Sequence, residues 1–95
     1  MTELRKKAID TCNKALEVLT VVFDFVQTQR LNTPFEKAAP LDEYLRKVGQ
    51  TSKTVEIVLT WANNSKSNEG LVQMGLDILL TEMKELGFDM EGTKK

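Results

Sequence analysis

Apolar residues recur every three or four positions along most of this chain, the spacing that places side chains on one face of an α-helix. From the N-terminus they fall at Leu4, Ala8, Cys12, Ala15, Leu16, Leu19, Val22, Phe23 and Val26. The polar positions keep the same period: Asp10, Asn13, Lys14, Glu17, Thr20, Asp24, Gln27 and Thr28 form a second stripe. Asp24, which interrupts the densest apolar run (Val18 to Val26), therefore belongs to the wet side of the same helix. The pattern predicts a helix over about 3–29, with Thr2 as its cap. A second helix is predicted over 41–63, with a seam at Leu41, Leu45, Val48, Ser52, Val55, Leu59 and Ala62 that alternates steps of four and three. A third is predicted over 68–86, capped by Ser67 or Asn68 and striped by Val72, Leu76, Leu79, Met83 and Leu86.

The connections read from turn chemistry. Thr33, Pro34 and Glu36 match the cap, first and third positions of a short helical turn near 34–38. Pro40 then starts the second helix. Gly87 followed by Phe88 reads as a left-handed stop, with Phe88 folding back on the last turn. Residues 89–95 read as a frayed tail. The expected fold is all-α: one domain over 1–95, a three-helix bundle that self-associates, most simply as a homodimer.

Self-association is expected because each helix carries apolar residues outside its main stripe. Val18, Val21 and Phe25 widen the dry face of the first helix. Ile57 and Trp61 form an i,i+4 pair on the second, off its seam, and Leu71, Met74 and Ile78 form a shorter stripe on the third. A bundle helix faces two neighbours and uses an apolar arc wider than about 100°. These eight residues are nevertheless the candidate interface, and Trp61 leads them because tryptophan is enriched at binding hot spots.

Composition narrows the function by subtraction. The 95 residues include no His and one Cys, Cys12, so no internal disulfide can form, and zinc, haem and Cys–His catalysis lack ligands. Cys12 lies on the apolar stripe and reads as core. The glycines, at 49, 70, 75, 87 and 92, build no phosphate-cradling loop. Asp10, Glu17 and Asp24 align, but on the wet face. No catalytic residue, cofactor or metal site is therefore expected. Thirteen basic and fourteen acidic side chains give a net charge of −1, which is not the footprint of a protein that neutralises phosphates, so nucleic acid is not an expected partner. The charge is skewed: residues 1–66 carry ten basic and eight acidic side chains, and residues 67–95 carry three and six. The most basic spot is Arg5–Lys6–Lys7. No run approaches the ~20 apolar residues a membrane span needs, and the first residues lack a signal-peptide pattern, so a cytoplasmic location without membrane contact is expected.

These readings converge on a small cytoplasmic, non-enzymatic protein whose partner is another protein. A regulator, inhibitor, immunity-type or adaptor protein that docks through a helix face would fit. Two alternatives are a dimeric nucleic-acid-associated regulator and a bundle that binds an apolar small ligand among Phe23, Val26, Leu59, Met74 and Met83.

Overall fold

The computed structural model describes residues 2–90, which form an all-α three-helix bundle. Helix α1 spans Glu3–Leu31, α2 Ala39–Asn63 and α3 Glu69–Glu85, and a single 3-10 turn covers Phe35–Lys37. At 1.5 Å per residue the helices are about 43, 37 and 25 Å long. They run up, down and up. Helix α2 packs against both others, most extensively against α1.

Local chemistry sets the ends. Thr2 Oγ1 accepts from the Arg5 amide at the start of α1, and Asn68 Oδ1 accepts from the Gly70 amide at the start of α3. Helix α3 stops in a paired motif: the Gly87 amide donates to the Lys84 carbonyl and the Phe88 amide to the Met83 carbonyl, both at 2.9 Å. That geometry needs the left-handed backbone that Gly87 supplies at φ 102°. Phe88 and Met90 then pack back on the core. Ordered packing thus reaches two residues into the expected tail, and 91–95 lie outside the described residues. The turn between α1 and α2 is built differently from its expected form. Thr33 does not cap it; its hydroxyl donates back to the Gln29 carbonyl at 2.6 Å. Pro40 does sit in the first turn of α2. Asp42 beside it accepts from Arg30 Nε at 2.7 Å, which ties the end of α1 to the start of α2.

The core follows the expected stripe on α3 and most of that on α1, where Phe23 is exposed instead and Leu4, Leu16 and Val22 are only partly buried. Ala8, Cys12, Ala15, Leu19 and Val26 are buried on α1, and Val72, Leu76, Leu79 and Met83 on α3, with Leu86 just after it. Every member of the polar α1 stripe, Asp24 included, is exposed. Helix α2 is rotated from its predicted seam. It buries Val48, Thr51, Val55, Val58 and Ala62, while Ser52 and Leu59 are only partly buried. Apolar residues at both 58 and 59 permit two seams one residue apart. Contact with α3 as well as α1 turns the helix toward the Thr51–Val58 side.

Within the basic spot Arg5–Lys6–Lys7 the two lysines are exposed, but Arg5 is buried at 6% exposure. Its guanidinium lies at the shared end of all three helices. Nη1 donates to the carbonyls of Trp61 (3.0 Å), Ala62 (3.3 Å) and Asn64 (2.8 Å), Nη2 donates to that of Ser67, and Nε lies 3.5 Å from the Glu69 carboxylate. The last carbonyls of a helix have no partner within it, and they carry the negative end of its dipole. A planar cation with five donors suits that position better than an ammonium does. Arg5 thereby holds α1 to the end of α2, the α2–α3 loop and the start of α3.

Candidate functional site

The eight candidate interface residues separate into two surfaces. Gly75 marks the line where α2 and α3 touch: a Cβ built on it would lie 2.9 Å from Val58 Cγ2 and 3.3 Å from the Trp61 ring. Around α3, at 100° per residue, Leu71, Ile78 and Met74 follow Gly75 on the side turned away from the core. On α2, Ile57 stands one turn from Trp61 on its outward side. These five residues therefore share one outer face of the α2–α3 pair. Four are exposed: Ile57 at 49%, Leu71 at 39%, Met74 at 53% and Ile78 at 45%. Trp61 is half-buried, with its ring against Gly75 and the core. It therefore both anchors the helix pair and lines the face.

Val18, Val21 and Phe25 belong to a different surface on α1. Val21 and Phe25 are exposed, whereas Val18 packs partly into the core and serves as an inner edge. Three further exposed apolar residues lie outside the candidate set: Phe23 on α1, and Leu31 and Phe35 at the α1–α2 corner. For the last two a signal was available: Leu31 follows the last buried α1 residue by five positions, and Phe35 lies in a turn between two helices.

The charged groups around the α2–α3 face are ordered. Lys53 lies along its α2 edge and Asp77 along its α3 edge, while Arg46 and Glu85 both border the groove between the two helices; all four are exposed. Arg46 pairs with Glu43 through Nε and Nη2, and the hydrogen bond from Arg46 holds the Glu43 carboxyl below its ordinary pKa. Asp77 accepts from Gln73 Nε2 at 2.8 Å. Between α2 and the end of α3 lies a small groove of about 140 Å³, lined by Arg46, Lys47, Gln50, Thr51, Glu82, Glu85 and Leu86. Glu82 Oε1 is shielded from solvent there without a hydrogen-bond partner. Tyr44 closes that end by donating from its hydroxyl to the Leu86 carbonyl at 2.7 Å, and burial raises its pKa.

The residues proposed to line an apolar ligand pocket do not converge. Met83 is fully buried and Met74 is exposed on the opposite side of α3, while Phe23 is partly open to solvent on α1. Cys12 is enclosed beside the Val55 carbonyl (Sγ to O, 3.7 Å), and burial pushes its thiol up to about 11, away from nucleophilic chemistry at neutral pH. Among the described residues no His, Cys, Asp and Glu group is placed to hold a metal ion, and no helix is long and apolar enough to cross a membrane. No family model matches the chain, and comparison with curated proteins and with solved structures likewise finds no match.

Proposed function

We propose that the protein is a non-enzymatic interaction module that docks a protein partner on the α2–α3 face and acts as a regulator, inhibitor, immunity-type or adaptor protein in the cytoplasm. The observation that carries this reading is the set Ile57, Leu71, Met74 and Ile78, each between 39% and 53% exposed around the half-buried Trp61. Single exposed apolar residues are ordinary on a protein surface, but a contiguous patch rimmed by polar groups marks an interaction site. The arrangement matches a protein interface, with an aromatic and aliphatic centre and a charged rim. Its base is rigid, because Trp61 is packed against Gly75 and Arg5 ties down the Trp61 carbonyl. A rigid anchor loses little conformational entropy on docking.

The test is capture from a host extract by three tagged forms of the chain: wild type, Ile78→Glu and Val21→Glu. Proteins that dock on the α2–α3 face, further copies of this chain included, are retained by wild type and by Val21→Glu. They are lost by Ile78→Glu, which places a charge in the apolar centre. Identical capture by wild type and Ile78→Glu would overturn the reading.

A further inference from the structure

We infer that the partner fitted to the α2–α3 face is a second copy of this chain, paired about a two-fold axis parallel to the helices. The inference rests on reading that face as a docking surface, and the charge order of its edges carries it. The levels of the two helices are fixed at both ends: Tyr44 reaches the Leu86 carbonyl at one, and Gly75 lies against Val58 and Trp61 at the other. With α2 and α3 antiparallel between those points, Asp77 stands within one helical turn of the level of Lys53. The acid Asp77 is on the α3 edge and the base Lys53 on the α2 edge.

A two-fold axis along the groove between α2 and α3 lays α3 of one copy antiparallel on α2 of the other at the same level. Asp77 then meets the opposing copy's Lys53, a pair that occurs twice by symmetry. Ile57, Trp61, Met74 and Ile78 fill the centre. An axis across the helices would instead set α2 on α2 and α3 on α3, and would pair none of these charges. Charge placed this way fixes register and orientation, while the apolar centre supplies most of the affinity. Lys53 makes no salt bridge within the chain among the described residues, and Asp77 has only a hydrogen bond to Gln73, so both can turn outward.

The test combines light scattering over a concentration series with charge reversal. Wild type is expected to pass from monomer to dimer as concentration rises, and Ile78→Glu to remain monomeric. Lys53→Glu and Asp77→Lys should each weaken the dimer about tenfold, and the double variant should recover most of that loss, because each reversal acts at two symmetric rim pairs. Thermal melts by circular dichroism show that the variants are folded, as expected for exposed positions. A wild type that stays monomeric, a dimer that survives Ile78→Glu, or a double variant no tighter than the singles would each overturn the inference. A monomer that still captures a different protein through Ile78 would overturn it while leaving the docking face itself in place.

Discussion

Replacing Arg5 with alanine is the perturbation whose consequence follows most directly from the structure. Four carbonyls lose a donor: those of Trp61, Ala62, Asn64 and Ser67. Asn64 is exposed and Ser67 only partly buried, so water can replace the arginine at those two. The Trp61 and Ala62 carbonyls belong to the last turn of α2, and the Trp61 carbonyl keeps only the Asn64 amide at 3.2 Å. Hydrogen bonds from a charged donor contribute about 1.5–3 kcal/mol each, and two of them at the lower value give about 3 kcal/mol. The ion pair with Glu69 adds little, because that carboxylate is 45% exposed and screened by water. A loss of about 3 kcal/mol is a large share of the 5–15 kcal/mol that holds a typical domain. At roughly 4–8 °C per kcal/mol it lowers the Tm by roughly 12–24 °C. Urea denaturation gives the free energy, and hydrogen exchange shows where it is lost, at the end of α2 and the first turn of α3. Arg5→Lys should recover less than half, since a single ammonium cannot span carbonyls on both sides of the loop, and Glu69→Gln should cost under about 1 kcal/mol. An Arg5→Ala chain within about 1 kcal/mol of wild type, or a lysine variant equal to arginine, would refute the assignment of Arg5 as the tie between the three helices.

Other consequences can be measured independently. Gly49→Ala, with nothing within 4 Å of the new Cβ, should stabilise the chain by about 0.5–1 kcal/mol through helix propensity. Gly75→Ala should destabilise it despite the same propensity gain, because the Cβ would press on Val58 at 2.9 Å. Urea melts that rank these two variants in the opposite order would contradict the α2–α3 packing. Val58→Asp should cost more stability than Leu59→Asp, since Val58 is 1% exposed and Leu59 only partly buried; the reverse order would restore the seam read from sequence. Cys12 should react slowly with a thiol reagent at pH 8 in the native protein and rapidly in denaturant. Its folded pKa, raised from 9.0 to about 11, means that the native state keeps the proton longer than the unfolded state. Its contribution to stability is therefore full below pH 9 and falls as pH rises through that window.

What could be read from the sequence follows how sharply each pattern excludes its neighbours. On α3 the stripe Val72, Leu76, Leu79, Met83 and Leu86 is longer than the competing stripe Leu71, Met74 and Ile78, and the longer one is buried. The α1 polar stripe was unambiguous, and it placed Asp24 correctly in water. On α2 two seams overlap and share Val48, Val55 and Ala62. Both alternate steps of three and four, so spacing alone does not separate Ser52 and Leu59 from Thr51 and Val58. Tyr44 lies on the true seam, although its hydroxyl finds a polar partner only at the end of α3. Arg5 was hidden for a related reason. It keeps the three-four spacing of Ala8, Cys12 and Ala15, but a charged residue on an apolar stripe is discounted unless its partners are known. Those partners are backbone carbonyls roughly sixty residues away, which no local pattern shows. The interface candidates were readable as surplus apolar residues. Their division into two surfaces was not, because it depends on which side of α2 receives α3.

Trp61 is the chain's single tryptophan and lies between the core and the proposed docking centre, so its fluorescence reports on that face without a label. The most direct measurement follows its emission maximum through a dilution series, with light scattering on the same samples. If the α2–α3 face is covered by a second copy, the emission is blue-shifted at high concentration. It moves to the red on dilution, with the same midpoint as the fall in mass, and Ile78→Glu shows the diluted spectrum at every concentration. An emission maximum that ignores concentration while the mass changes would place the contact elsewhere. One that ignores concentration while the mass stays that of a monomer would show that the face is not covered by a copy of this chain.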